Sequence, residues 1–307
     1  MTYPVLSGAL EGLRTLTAGD LVRYKAAVAA GQQMGWGYYF PNLLSKNRSG
    51  RSAALLLEDE GAICVFLWSM RDSRPHLDLY LPPVPVNVAV LRRCLERAND
   101  FNGDTSARVM RIDAKDVGAV KGANLKVRQR REQYIYAPQA YNDIGGKSFY
   151  TIRRNVKLIE RIPNVEVLPY SVSHARACHA LLEQWSQNHR EAQGTAGGAG
   201  TSRRAIHLVG TMPAEELRGE VVFVNGRLAA FAFGGEIRPG LAGSFERKCD
   251  TSIRGLSYFH LRSFLQSFRD FALINDGSDT GRAGLRQIKE SFRPVEMHVE
   301  YRAAQRK

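Results

Sequence analysis

Arg286, Lys289 and Arg293 recur at i, i+3 and i+7 within the stretch LINDGSDTGRAGLRQIKESFRP (273–294), so a helix there holds three cations in a row. An apolar strand, Ala272-Leu273-Ile274, runs into Asn275, and a polar loop carrying Asp276 and Asp279 separates it from that helix. A loop at a strand end is a common place for ligand sites in α/β proteins, and three cations beside it suit an anion. Leu285, Ile288 and Phe292 recur along the same helix and make its core stripe. The spacing also fits a solvated basic face with an Arg286–Glu290 pair. No nucleophile–base dyad stands out: the seven histidines are scattered, His174 and His179 form no H-E-x-x-H, and no G-x-S-x-G occurs. Residues 194–200, GTAGGAG, lack the G-K-[ST] ending of a phosphate cradle. They read as a loop that orders over substrate or stays disordered.

Two more stretches are cationic. Over 147–161 the period is helical, with Phe149, Ile152, Val156 and Ile159 as the buried stripe. Lys147, Arg153, Arg154, Lys157 and Arg161 then project as a basic ridge able to lie along a nucleic-acid backbone. The cations of 121–131 alternate with few apolar residues and read either as a phosphate contact surface or as a solvated loop. Between residues 34 and 44, Trp36, Tyr38, Tyr39 and Phe40-Pro41 are an aromatic cluster, a core plug or a platform for a base.

Asn275, Asp279, Gly281, Gly284-Leu285-Arg286, Lys289, Ser291 and Pro294 together resemble a pattern that closes the catalytic domain of the bacterial lysyl-phosphatidylglycerol synthase family. Gly146-Lys147, Phe149-Tyr150 and Arg153-Arg154-Asn155 resemble a second block of the same family, a glycine-lysine-lysine-tyrosine followed by an arginine-rich helix. The resemblance implies two tandem folds of the acetyltransferase (GNAT) type and transfer of an aminoacyl group from an aminoacyl-tRNA to a lipid headgroup or another amine or hydroxyl. It implies no cofactor. Because aminoacyl esters are already activated, such an enzyme needs positioning and charge stabilisation more than a covalent nucleophile. Arg286 and Lys289 suit the phosphate of the terminal nucleotides or the oxyanion at the ester carbonyl. Asp279 and Glu246 suit the donor's α-ammonium or the acceptor's proton, with Asn275 completing the catalytic set. The ridge from Lys147 to Arg161, with Lys248, is the expected tRNA contact. Ahead of Gly255 the family usually carries a histidine and then glutamate-lysine. Here Phe245 and Arg247 stand in the first two places and Lys248 remains. Two other classes fit parts of the chain. An acyl-CoA-dependent N-acyltransferase would share the fold, but 249–255 has one glycine where a pyrophosphate loop needs several. A non-enzymatic nucleic-acid or anion-binding module would need only the basic helix.

The elements that must position these residues follow from periodicity and turns. At 307 residues and 44% hydrophobic, the chain is long enough for two cores. The first half reads as a helix over 18–30, a hairpin of 53–58 and 62–68, a strand at 77–81, a helix over 86–101, and strands at 108–112 and 133–136. The second half runs β, α, α, β, β, β, α, β, α, β, the order of a GNAT domain, with Asn225-Gly226 as a two-residue hairpin turn. The expectation is α/β with mixed α+β sheets in two tandem GNAT-like acyltransferase domains, 1–145 and 146–307, the second carrying the site. The balance of 43 Lys+Arg over 30 Asp+Glu, +13, favours polyanionic partners. Four separated cysteines with no C-x-x-C read as reduced, mostly buried thiols. With neither a leader-like apolar segment nor a run near ~18 apolar residues, the expected location is cytoplasmic.

Overall fold

A computed structural model describes residues 10–193 and 198–305, without the side chains of residues 189 and 191–193. The chain forms two compact units: one holds the residues up to Gln133 and those from His298 onward, the other Tyr134–Met297. Both are α/β with mixed sheets. In chain order, unit 1 contributes β1 (Arg14–Thr15), α1 (Leu21–Ala30), α2 (Phe40–Leu44), β2 (Ser52–Asp59), β3 (Ala62–Arg71) and β4 (Arg74–Leu79). It continues with α3 (Val88–Asn102), β5 (Arg108–Asp113), α4 (Val117–Gly122) and most of β6 (Leu125–Tyr136). Unit 2 follows with α5 (Tyr150–Glu160), β7 (Val165–Pro169), α6 (Ala175–Gln193), α7 (Ala199–Val209), β8 (Arg218–Val224), β9 (Arg227–Arg238) and β10 (Leu241–Cys249). Then come α8 (Leu256–Gln266), β11 (Leu273–Asn275), α9 (Ala283–Ser291) and β12 (Glu296–Gln305), whose residues from 298 belong to unit 1.

In unit 1 the strands from β1 to β4 are antiparallel neighbours, β4 meets β5 in parallel, and β12 joins β5 antiparallel through pairs such as Tyr301 with Ile112. One face of this sheet buries Phe66, Leu77, Leu79, Val109 and Ala303 against Leu91, Cys94 and Leu95 of α3. Asn87 caps α3 by accepting from Ala89 N and Val90 N, and left-handed Gly103 ends it. The aromatic cluster is core: Tyr38, Tyr39 and Phe40 are at most 1% exposed, and the Tyr24 hydroxyl donates to Tyr38 O at 2.9 Å.

Unit 2 has the strand order β11-β10-β9-β8-β7 beside the end of β6, antiparallel except for β10 with β11. Asn225 and Gly226 both have positive φ, 51° and 75°, as a two-residue turn with the twist of its strands requires. α8 packs on α5, where left-handed Gly255 (φ 90°) leaves no room for a side chain: a Cβ would stand 2.5 Å from Asn155 O.

Several expectations are corrected. Residues 125–131 are strand rather than loop, because Val127 packs into the core while its polar neighbours face out. The boundary drawn at 145/146 lies inside unit 2, since Tyr134, Tyr136 and Tyr141 pack with Ile152, Phe264 and Phe292. In the glycine run, residues 194–197 lie outside the described residues, and Gly198 precedes α7 in a left-handed conformation. Cys64, Cys94 and Cys178 are buried free thiols and Cys249 is half-buried. Among the described residues no helix is long and apolar enough to cross a membrane.

Candidate active site

β10 and β11 run in parallel through only three pairs, Leu241–Leu273, Ala242–Ile274 and Gly243–Asn275. β11 then stops while β10 continues past a register shift between Ser244 and Glu246, so a notch opens at the carboxyl ends of two parallel strands, where α/β sheets bind ligands. The polar chain from 275 to 281 enters this notch. Asn275 is buried, and its Oδ1 accepts from Gly277 N at 2.8 Å, turning the chain as it leaves the strand.

Next to it Asp276 is 7% exposed and Lys289 only 2%. Lys289 Nζ donates to Asp276 Oδ2 at 2.7 Å, to Asp276 O and to Gly277 O at 3.3 Å, and lies 5.3 Å from the centre of the Tyr134 ring. Arg247 approaches the same Asp276 Oδ2 at 3.5 Å. Burial alone would raise the Asp276 carboxyl, but Lys289 and Arg247 outweigh it and keep it below its ordinary value. Burial lowers the Lys289 ammonium, and Arg247 adds to that against the pull of Asp276. Two cations therefore share one carboxylate, leaving a desolvated cluster with a net positive charge. Two of its groups are unspent. Among the described residues Arg247 Nη1 is buried without a hydrogen-bond partner, and His260, fully buried on α8, has neither ring nitrogen bonded. Burial, with the nearby charge of Arg247, lowers the His260 pKa to about 3, so the imidazole is neutral.

The expected cation row is thus split. Lys289 points inward and spends its three donors on the 276–277 chain, whereas Arg286 is exposed and Arg293 lies past the helix end with positive φ. Phe292 is buried as expected, while Leu285 and Ile288 are half-buried. Arg286 pairs with Asp279, not Glu290: Nε donates to Asp279 Oδ2 at 2.6 Å. Asp279 also accepts from Tyr134 Oη at 3.2 Å and Gly281 N at 2.8 Å. Burial raises its carboxyl, but Arg286 and these donors win and hold it below the usual range. It closes its own turn and does not cap α9, whose first flanking residue, Arg282, has no side-chain cap.

Glu246 is not brought to Lys289 or Arg286. It alternates with Arg247 along β10, and its Oε2 accepts from Ser202 Oγ at 2.9 Å and from Lys248 Nζ at 2.8 Å. Lys248, expected on the tRNA surface, is 11% exposed and stands 4.7 Å over Trp185, so it is a wall of this second cluster. The helix expected over 147–161 is confined to α5, with Lys147 in the turn before it and Arg161 just past its end; Lys147, Arg154, Lys157 and Arg161 are exposed, but Arg153 is half-buried and donates to Ile144 O. Sequence reasoning named Arg247 and Asp276 without a role in the site and missed His260. Asp276 follows the strand end directly, and His260 interrupts the apolar run LSYFHLRSFL of α8, the signals by which each was open to recognition.

The family described as phosphatidylglycerol lysyltransferase, C-terminal, matches residues 66–304, and the chain belongs to it. That membership makes the protein a transferase of the aminoacyl-transferring class. Its fold matches a conserved protein of unknown function from Bacteroides thetaiotaomicron at 22% identity and TM-score 0.77, over 96% of this chain and 99% of that one. It also matches the C-terminal domain of a putative lysylphosphatidylglycerol synthetase from Agrobacterium fabrum at 16% identity and TM-score 0.66, covering 94% and 92%. A tandem GNAT protein from the clavulanic acid biosynthesis pathway aligns at 11% identity and TM-score 0.52, covering 95% and 98%, in keeping with two tandem GNAT-like domains. No curated protein matches the chain.

Proposed function

We propose that the chain transfers an aminoacyl group from an aminoacyl-tRNA to an amine or hydroxyl on a small molecule, peptide or lipid headgroup. The observation that carries this reading is the buried, net positive cluster of Lys289, Arg247 and Asp276 at the notch between β10 and β11, with Arg247 Nη1 unspent. When the acceptor attacks the ester carbonyl, negative charge develops on its oxygen before the bond to the ribose breaks. A fixed donor in a water-poor site stabilises that charge far more than one in water. Arg247 takes this role, Asp276 orients it, and Lys289 anchors Asp276 and supplies the second positive charge. Neutral His260 offers one donor and one acceptor to the reacting groups. Asp279, ionised at the lip beside exposed Arg286, suits the donor's α-ammonium, and Arg286 suits a terminal phosphate.

Lys147, Arg154, Lys157 and Arg161 remain the tRNA ridge. Acyl-CoA is the weaker donor, because the start of α8 has a single glycine and backbone of α5 closes on it at Gly255. A cytoplasmic setting, where aminoacyl-tRNA is made, accompanies this reading. The test is incubation of the purified protein and a cell extract with a radiolabelled mixed aminoacyl-tRNA pool, or with labelled acetyl-CoA. Label should leave the tRNA for a new product and do so far more slowly with Arg247→Met. Transfer from acetyl-CoA alone would overturn the reading.

A further inference from the structure

Unit 1 carries a groove of about 700 Å³ lined by Arg108, Lys126, Arg128, Arg302 and the chain from Ala303 to Gln305. We propose that this groove binds the phosphate backbone of RNA, an inference that rests on the aminoacyl-tRNA reading but concerns residues outside the notch.

The pleat puts these cations on one face. Ala107 and Val109 are core, so Arg108 between them faces the other way; Tyr301 and Ala303 do the same for Arg302, and Val127 for Lys126 and Arg128. β12 lies between β5 and β6 in the sheet, so cations from three adjacent strands converge. Neighbouring strands are about 4.8 Å apart and alternate residues about 6.6 Å apart, a lattice on which long side chains can reach successive phosphates. Among the described residues no carboxylate lines the groove. On the adjoining strands Glu300 binds Arg111 and Arg130, and Asp78 binds Arg71 at 2.9 Å and pairs more loosely with Arg108 at 3.6 Å. Among the described residues Lys126, Arg128 and Arg302 have no ion pair. Three cations without a carboxylate partner, kept beside Arg108, repel one another and it, a cost that a polyanion removes. An RNA fits better than a membrane surface. The lining is concave, and none of the large exposed apolar residues, such as Val22, Met70, Tyr150 or Met297, belongs to it, whereas a surface that docks on lipid inserts such side chains.

The experiment measures binding of an unacylated RNA hairpin with a single-stranded 3′ end, and of vesicles containing phosphatidylglycerol, across a salt series. Wild-type protein should bind the hairpin, and Arg128→Gln with Arg302→Gln should lower the log–log salt slope by about 0.7–0.9 per lost contact. Both positions are exposed, and an unchanged thermal midpoint shows that the double variant folds. An unchanged slope, or groove-dependent binding of vesicles without binding of RNA, overturns the proposal. The donor reading fails separately: groove-dependent hairpin binding without any transfer from aminoacyl-tRNA refutes that reading and leaves the groove, whereas transfer with an unchanged slope refutes only the groove.

Discussion

Lys289 is held by a balance of charges that its helical spacing did not disclose. Periodicity counts apolar residues, so a lysine beside the stripe was assigned to the outer face, yet its ammonium is buried against Asp276. Removing one member of a buried pair strands the other. Asp276→Leu, which strands both Lys289 and Arg247, should therefore cost on the order of 3–5 kcal/mol in denaturant unfolding, with Lys289→Met plus Asp276→Leu costing less than the sum of the single changes. Equal and additive losses would mean that the pair is not coupled. Glu220 allows a second test. Burial raises its pKa from 4.5 to about 7, against a hydrogen bond from Ser263 Oγ at 3.0 Å. The folded state then holds this proton more tightly than the unfolded chain. Its contribution is fully present below about pH 4.5 and is lost as pH rises through 7, on the order of 3 kcal/mol in all. Unfolding midpoints measured from pH 5 to 8 should fall less steeply in Glu220→Gln than in the wild type.

Helix α5 shows what an element adds to a list of cations. Its stripe of Ile152, Val156 and Ile159 was legible from the 3.6-residue period, and so was the outward course of Arg154 and Lys157. Arg153 was not, because a guanidinium that reaches back to the carbonyl of Ile144 serves the turn before the helix, a partner no period reveals. Arg153→Ala should cost about 1–3 kcal/mol, as charged hydrogen bonds do, and leave the salt slope of RNA binding unchanged. Arg154→Ala should do the reverse, lowering the slope with stability moved by under ~0.5 kcal/mol. A stability loss at Arg154 comparable to that at Arg153 would contradict this division. The site elements divide in the same way. The strand, loop and helix of 273–291 were readable from apolar runs and turn residues, whereas the meeting of Asp276 with Arg247 depends on a parallel pairing between β10 and β11 that local pattern does not encode.

Across the whole molecule the two units were readable in number but not in their limits. Length and the GNAT-like order of elements indicated two, yet the fate of residues 298–305 depends on which sheet edge they meet. They complete unit 1: Glu300 is buried between Arg111 and Arg130, and Ala303 is in the core with Val109 and Ile112. Deleting residues 298–307 should strip hydrogen-exchange protection from β5 and leave α8 of unit 2 protected. Loss of protection in α8 with β5 intact would contradict the assignment of this strand. The same feature bears on synthesis. The residues up to Gln133 are made before Tyr134–Met297, but β12, the strand that fits between β5 and β6 in their sheet, is translated only after all of Tyr134–Met297. At about 5–20 residues per second that interval is on the order of ten seconds or more, during which β5 keeps an open edge. The unit that is made first is thus the last to be finished, and its exposed edge is where a nascent chain of this protein most needs shielding by a chaperone.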